Sequence, residues 1–106
     1  MVVRFDVYLV NLDEQVTKYA RNTRPCVVIS PDEMNRNLRS VIVAPLSAAN
    51  AKYPTRIQVN FLNSVRSIVL DQIRTVDSER LVKKIGEIES SAQKETLDRL
   101  KEMFDE

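Results

Sequence analysis

The side chain best suited to chemistry is Arg24, which stands between a long polar segment and the apolar run 25–29. Pro25 restricts the backbone before it to extended conformations, so the arginine is held at the entrance of a predicted strand. A guanidinium is a rigid fork of donors that can form two hydrogen bonds with a phosphate group, and it keeps its charge when partly desolvated. A structural ion pair with Asp71 or Glu14 is the alternative.

Ser47 and Asp71 are two further polar residues that follow apolar runs. Ser47 comes after the run 41–46, where its hydroxyl group can bind a phosphoryl oxygen or cap the loop that begins there. Asp71 comes after the run 68–70, where a carboxylate can act as an acid or a base, or can form a turn. The residue types alone favour the structural role for both, so a catalytic role depends on the surrounding sequence.

Histidine is absent from the chain, which excludes histidine-based triads, ribonuclease chemistry with paired histidines and most zinc hydrolase sites. The single cysteine, Cys26, lies in the apolar run 25–29, so no internal disulfide can form and a metal cluster has no ligand set. We expect a buried thiol there, and a protein that uses neither a metal nor another cofactor.

The length of 106 residues is that of one domain, and we predict a single domain over 1–106. The net charge is +1, but residues 1–76 hold 10 Lys/Arg against 6 Asp/Glu, while residues 77–106 hold 6 against 9. The first part would attract a polyanion, although ordinary surface scatter produces biases of this size. No signal-peptide pattern and no apolar run of membrane length occur, so we expect a cytoplasmic protein with no membrane partner.

Residues 2–10 have the pattern of a half-buried strand, with Arg4, Asp6 and Tyr8 on its polar face. A long polar loop is predicted over 11–23, and a loop of that length in a small domain is usually functional or mobile. Further strands are predicted at 25–29, 41–46, 56–61, 67–70, 72–76 and 81–88, the last with a kink at Gly86, the only glycine.

Helical structure is predicted in three places. Residues 30–33 read Ser-Pro-Asp-Glu, a capping box that predicts a short helix to about Asn37, and residues 77–80 suit a single turn. Ser90 and Gln93 form a second capping box at the start of a C-terminal amphipathic helix. Short strands with one late helix predict a β-rich, mainly antiparallel barrel, with a short helix after the second strand and a C-terminal α-helix.

Four segments, taken together and in order, resemble the MazF/PemK/Kid family of toxin ribonucleases. They are TRPCVVISP at 23–31, VAPLS at 43–47, YPT at 53–55 and LDQIRTVD at 70–77. The shared order and spacing make this combination specific, and the opening strand and the final helix extend the similarity over nearly the whole chain.

The resemblance implies an SH3-like barrel that forms a homodimer and binds single-stranded RNA in a groove between the subunits. It implies the toxin of a type II toxin–antitoxin system, a metal-independent and sequence-specific endoribonuclease that cleaves mRNA by 2′-hydroxyl attack and inhibits translation and growth. A MazE-like antitoxin segment would neutralise it. Arg24 matches the active-site arginine, Ser47 stands where a catalytic threonine is usual, and Asp71 matches an aspartate with a catalytic or RNA-binding role. Further RNA contacts are implied for Lys18, Tyr19, Arg21, Thr23 and Gln72.

The departures from the family pattern lie mainly in the polar loop. Lys18 stands where many members have serine or histidine, and Tyr19 stands where they have a glutamate. If that glutamate is the general base, its loss lowers activity or moves the role to Asp71 or Glu14. An altered loop can instead change which RNA sequence is cut. Phe5 also replaces a glycine that is usual in the family.

Two other functions stay open at this point. A CcdB-like toxin shares the fold and poisons DNA gyrase without cutting nucleic acid, but it relies on a tryptophan near its C-terminus and this chain has none. A catalytically weakened family member would still bind its antitoxin or RNA. Growth on induced expression separates these alternatives from the enzyme, because only arrest by the enzyme depends on Arg24.

Overall fold

In the part of the chain that the structure describes, seven antiparallel strands curl into a half-barrel, and a C-terminal helix packs on one face of it. The computed structural model describes residues 1–16, 21–49 and 52–105. Two single 3₁₀ turns, Leu70–Gln72 and Ser78–Arg80, join strands, the second at the predicted place. The predicted fold class is confirmed. Over the described residues the elements are β1 (Asp6–Asn11), β2 (Thr23–Val28), α1 (Asp32–Asn37), β3 (Ser40–Ser47), β4 (Arg56–Phe61), β5 (Ser64–Val69), β6 (Arg74–Asp77), β7 (Leu81–Glu87) and α2 (Ser90–Met103).

Strand β3 organises the sheet because it pairs with three other strands. The main path runs β4-β5-β3-β2-β1-β7, and β6 pairs with β3 off this path. Residues 40–43 of β3 pair with β6, whereas Leu46 and Ser47 pair with β5. A strand that passes from one ladder to another makes a corner, and the sheet therefore curls at β3.

Alternation along the strands gives the sheet two faces with different fillings. Val27 pairs with Val7 and Ala44 and points to the core face, which α2 covers. The core face buries Phe5, Val7, Val27, Ile29, Ala44, Leu46, Ile57, Val59, Phe61, Ile68, Leu70, Ile88 and Ala92. The outer face buries the smaller cluster Val10, Cys26, Val28, Val41, Val43 and Val76.

Asp6 is buried, which contradicts its predicted place on a polar strand face. Its carboxylate accepts a hydrogen bond from the N–H of Val3 at 2.9 Å and lies 3.1 Å from Nζ of Lys84. These partners offset the cost of burying the charge. The N–H of Asp6 also donates to the carbonyl of Val3, so a turn precedes the strand and β1 begins at Asp6 rather than at residue 2.

The two predicted capping boxes do not form, although both helices lie where they were expected. The N-cap residues are Pro31 and Glu89, and no side chain caps either helix. The Ser30 hydroxyl donates instead to Oδ1 of Asn35 at 2.6 Å, so it ties α1 to the end of β2. Over the described residues, neither helix is long and apolar enough to cross a membrane.

Phe5 occupies a backbone position that favours glycine. Its φ is 74°, in the left-handed region, where a bulky side chain is strained by on the order of 1–3 kcal/mol. The ring is only 4% exposed, and truncation of a buried phenylalanine typically costs about 3–5 kcal/mol. Packing on the core face therefore offsets the backbone strain of a phenylalanine at this position.

The predicted irregularity at Gly86 is confirmed by the pairing of β7 with β1. Val7 pairs with Gly86 but Tyr8 pairs with Lys84, so β7 carries an extra residue at this point. A Cβ atom at position 86 would lie 2.8 Å from Cε1 and 2.9 Å from Cζ of Phe61. Glycine is required because β7 passes directly against a core ring.

Candidate active site

A cleft of about 470 Å³ opens on the outer face, where β2 and β4 begin and β3 and β5 end. Its floor is apolar, and its polar side chains are three arginines, one serine and one glutamine. An apolar depression with a few convergent polar groups is the usual form of a ligand site, and three cations favour an anionic ligand. The lining residues are Leu12, Arg24, Pro25, Cys26, Val43, Pro45, Leu46, Ser47, Arg56, Val69, Gln72 and Arg74.

The strand register explains why residues far apart in sequence share the cleft. Cys26 pairs with Pro45. Arg24 and Ser47 each lie two positions from this pair on their own strands, and both line the cleft. Paired residues, and every second residue along a strand, lie on the same face of a sheet. Arg74 joins this face through the pairing of β6 with β3. The arginine and the hydroxyl singled out from the sequence therefore line one cleft.

Arg24 is exposed at the mouth of the cleft. Within residues 1–16, 21–49 and 52–105 it takes part in no ion pair, and neither Asp71 nor Glu14 is its partner. A guanidinium without a carboxylate keeps its donors available for a ligand. The alternative considered for Arg24, a structural ion pair with Asp71 or Glu14, is therefore wrong for the described part of the chain.

Ser47 caps the turn that follows β3. Its Oγ accepts a hydrogen bond from the N–H of Ala49 at 3.1 Å, and the Ser67 hydroxyl donates to the carbonyl of Ala49 at 3.3 Å. The structural role considered for Ser47 thus exists. It uses only an acceptor position of the hydroxyl oxygen, and the O–H group remains a donor that a ligand can use.

Asp71 lies beside the cleft rather than in its lining. Its Oδ1 accepts from Oγ1 of Thr55 at 2.9 Å and from Nε of Arg56 at 3.4 Å. Desolvation alone would raise the pKa of this carboxyl, but the hydrogen bonds from Thr55 and Arg56 outweigh it and the pKa lies below its ordinary value. Asp71 is therefore ionised at neutral pH, as a general base requires and a general acid does not.

The neck of the polar loop is held firmly on both sides. The Asp13 carboxylate accepts from the backbone N–H groups of Arg21 and Asn22, each at 2.8 Å, which ties the two stems together. From across the fold, Nη1 of Arg80 donates to the carbonyl of Asn11 at 3.0 Å and to that of Asp13 at 2.6 Å. Arg24 follows directly after this braced neck, so its position is well defined.

The five residues expected to contact RNA do not all lie in the cleft. Gln72 lines the cleft, whereas Thr23 begins β2 opposite Asn11 and Arg21 lies exposed at the loop neck. Lys18 and Tyr19 fall outside the described residues. The structure therefore brings together Arg24, Ser47 and Gln72, with Asp71 attached to the same site through Arg56.

Arg56 and Arg74 are cleft residues that the sequence analysis missed. A usable signal existed for Arg56, because alternation places it on the same face as Gln58 of β4 and opposite to the core residue Ile57. For Arg74 only the pairing of β6 with β3 reveals the location, since Arg74 lies opposite Val43. The cleft therefore carries more positive charge than the sequence predicted.

Cys26 is a buried free thiol among the lining residues of the cleft. Burial raises the pKa of its thiol to about 11, although the nearby charge of Arg74 lowers it. In the part of the chain that the structure describes, no group of three or more thiol or carboxylate side chains is arranged to hold a metal ion. The cleft therefore offers arginine, hydroxyl and amide donors, with one ionised carboxylate at its side.

Nearly the whole sequence matches one known protein family. Residues 3–104 match the family described as PemK-like, MazF-like toxin of type II toxin–antitoxin systems. Endoribonuclease EndoA of Bacillus subtilis (strain 168) is 35% identical over 95 residues, which cover 84% of this chain and 82% of that protein.

Solved structures share the fold over nearly the full chain. A mycobacterial endoribonuclease in complex with its cognate antitoxin superimposes with a TM-score of 0.82 at 18% identity, covering 96% of this chain and 93% of that chain. MazF from Deinococcus radiodurans gives a TM-score of 0.74 at 20% identity, covering 96% and 94%. The match over residues 3–104 and the 35% identity to EndoA lead to one conclusion: this chain belongs to the PemK-like, MazF-like toxin family of type II toxin–antitoxin systems.

Proposed function

We propose that this toxin is an endoribonuclease that cleaves single-stranded RNA, in particular mRNA, at specific sequences without a metal ion. The reaction is attack by a ribose 2′-hydroxyl on the adjacent phosphate, which leaves a 2′,3′-cyclic phosphate and a free 5′-hydroxyl. Cleavage of mRNA accounts for inhibited translation and growth. The single observation that carries the proposal is Arg24, which forms no ion pair among the described residues and lines the same cationic cleft as Ser47.

Arg24 stabilises the charge that accumulates on the phosphorane oxygens. Removal of one such preorganised donor typically lowers the rate by on the order of 100- to 1000-fold. Ser47 adds a neutral hydrogen bond to the same group, because its O–H donor is not used in capping the turn. The two side chains therefore act on one phosphoryl group from facing strands.

The proton of the attacking 2′-hydroxyl needs an acceptor, and Asp71 is our candidate. It is ionised, and Arg56 holds it beside the cleft. Glu14 is the alternative carboxylate, because its backbone is held near the loop neck by Arg80. A water molecule or Tyr19 protonates the leaving 5′-oxygen, since arginine is a poor acid at its usual pKa.

RNA recognition is assigned to the cleft and to residues 18–23 of the polar loop. Gln72 lines the cleft, and its amide can donate and accept at the same base edge. Lys18, Tyr19, Arg21 and Thr23 extend the contact surface along the loop. Because Lys18 and Tyr19 depart from the family pattern, we propose that they select a different cleavage sequence.

The active form is a cytoplasmic homodimer with RNA in a groove between the subunits. The partner is a MazE-like antitoxin, and the complex of a structural neighbour with its cognate antitoxin supports this assignment. An acidic, partly disordered antitoxin tail suits a cleft with three arginines, because its negative charge is attracted to the arginines. A tail bound there would occupy the cleft and exclude RNA.

The test is cleavage of a long single-stranded RNA by the purified protein in excess EDTA, followed by mapping of the RNA ends. We expect discrete fragments with cyclic phosphate and 5′-hydroxyl ends, and a loss of roughly 100- to 1000-fold for Arg24→Ala. Arg36→Ala is the matched control, because it removes an exposed arginine from α1. RNA that stays intact, or cleavage that does not depend on Arg24, would refute the enzyme.

A catalytically weakened toxin is the second candidate, and the replacement of the expected loop glutamate by Tyr19 favours it. It predicts binding of RNA or antitoxin with cleavage near background. The family match favours both of these candidates over a gyrase-binding toxin. Induced expression decides the matter, because growth arrest that Arg24→Ala relieves requires the enzyme.

A further inference from the structure

Tyr53 is an exposed aromatic residue at the rim of the cleft. It is 58% exposed, and its ring lies over the guanidinium of Arg56, with 4.8 Å between Cζ of Arg56 and the ring centroid. Arg56 in turn lines the cleft. One face of the ring is therefore backed by a cation of the site, while much of the residue stays open to solvent.

The turn that carries Tyr53 is held rigidly. The N–H of Arg56 donates to the carbonyl of Tyr53 at 3.0 Å, and the N–H of Leu70 donates to the carbonyl of Thr55 at 3.0 Å. The Arg99 guanidinium on α2 donates to the Pro54 carbonyl. An exposed ring on a pinned turn loses little conformational freedom when it binds, so its contact with a ligand costs less than that of a mobile side chain.

The three arginines of the cleft differ in their partners. Arg56 pairs with Asp71 at 3.4 Å, whereas Arg24 and Arg74 form no ion pair with any residue in 1–16, 21–49 or 52–105. The pairing partly neutralises Arg56 and orients its plane beneath Tyr53. Arg24 and Arg74 therefore suit phosphates, while Arg56 and Tyr53 together suit the flat surface of a base.

We propose that Tyr53, backed by Arg56, is a stacking platform for one unpaired base of the RNA substrate. This proposal rests on the proposed ribonuclease function and adds a residue that positions the RNA in the cleft. Single-stranded RNA is commonly held by bases stacked on aromatic rings and on arginine planes. Stacking on Tyr53 holds one nucleotide at a fixed place relative to Arg24, and so sets which phosphate lies at the active site.

The experiment measures kcat and KM on a short single-stranded RNA that contains one mapped cleavage site. Tyr53→Ala and Tyr53→Leu should each raise KM by roughly 5- to 150-fold with kcat nearly unchanged, since a stacked base contributes to binding. Tyr53→Phe should retain the KM of the parent protein, because it keeps the aromatic face. Phe104→Ala is the matched control, since it removes an aromatic side chain that is 74% exposed on the end of α2.

Abasic nucleotides, introduced one at a time along the same RNA, locate the stacked base. One abasic position should raise KM for the parent protein and have no further effect on Tyr53→Ala, because the two changes remove the same contact. Unchanged thermal unfolding of the variants excludes a merely structural loss.

Three results would overturn the platform: an unchanged KM for Tyr53→Ala, equal effects of every abasic position in the parent and variant, or weakened dimer or antitoxin binding with RNA kinetics intact. The last result would assign the ring to a protein interface. Failure of the proposed function looks different, since a parent protein that cleaves no RNA in EDTA removes the enzyme itself.

Discussion

The two faces of the curled sheet share one set of strands but differ in what they bury and what they leave exposed. The core face is filled with apolar side chains and covered by α2. The outer face has a small cluster made mostly of valines, and at the strand ends beside it are three arginines and a carboxylate. Two of those arginines, Arg24 and Arg74, have no ion-pair partner among the described residues. The core face therefore stabilises the fold, while the outer face keeps charged side chains available for a ligand.

The largest expected effect is on the core face. Phe61→Ala removes a ring that is 7% exposed and should lower the free energy of unfolding by about 3–5 kcal/mol, measured by urea denaturation. The fraction that remains folded should still cleave RNA with the KM of the parent protein, because Phe61 does not line the cleft. Phe104→Ala is the control and should change stability by less than about 0.5 kcal/mol. A rise in KM for the folded Phe61→Ala protein would show that the core face also contributes to RNA binding, and would contradict the separate roles of the two faces.

The next effect is on the outer face and concerns activity. Ser47→Ala should lower kcat/KM by roughly 10- to 100-fold, as expected for a hydrogen bond to a charged group, and Ser47→Thr should retain activity. Ser67→Ala is the matched control, because the Ser67 hydroxyl holds the same turn through the Ala49 carbonyl. Equal losses for Ser47→Ala and Ser67→Ala would show that Ser47 acts only through the turn.

A smaller effect on stability is expected where β7 passes the core face. Gly86→Ala places a methyl group within 2.9 Å of the Phe61 ring and should destabilise the fold by about 1–3 kcal/mol. Phe61→Leu should relieve the clash, so the urea-measured loss for the double variant should be smaller than the sum of the two single losses. Strict additivity would show that the backbone conformation, and not the ring, requires glycine.

The smallest effect is the dependence of stability on pH at the outer face. Desolvation opposes the hydrogen bonds from Thr55 and Arg56, but the net pKa of Asp71 is lowered. The ionised carboxylate therefore stabilises the fold above the ordinary value of about 3.9, and this contribution is lost as the pH falls through the lowered pKa. Asp71→Asn should remove it, by less than about 1 kcal/mol because the side chain is 37% exposed.

Urea denaturation across pH 2 to 6, a range of roughly two units on either side of the ordinary carboxyl pKa, measures this term. Asp98→Asn is the control, since Asp98 forms an exposed ion pair on α2 away from the cleft. The variant and parent should differ at the upper end of the range and converge at the lower end. A constant difference at every pH would mean that Asp71 contributes through its shape rather than its charge.

Local patterns in the sequence predicted the strands, both helices and the fold class, because alternation and helical periodicity are properties of neighbouring residues. The family was predicted from the resemblance of four ordered segments to known toxins. The same local view placed Asp6 on a polar face and assigned capping boxes to Ser30 and Ser90. The prediction for Asp6 was wrong because its carboxylate pairs with Lys84, which is distant in sequence. The capping boxes were wrong because the N-cap residues are Pro31 and Glu89 rather than the two serines.

For the site, the sequence by itself identified Arg24, Ser47, Asp71 and Gln72 through their places in recognisable segments. Only the tertiary structure decided that Asp71 binds Arg56 and leaves Arg24 without an ion pair in the described chain, and that Arg74 shares the cleft. The physical reason is the strand register. Which side chains face one another across antiparallel strands depends on pairing over many residues, and no local pattern carries that information.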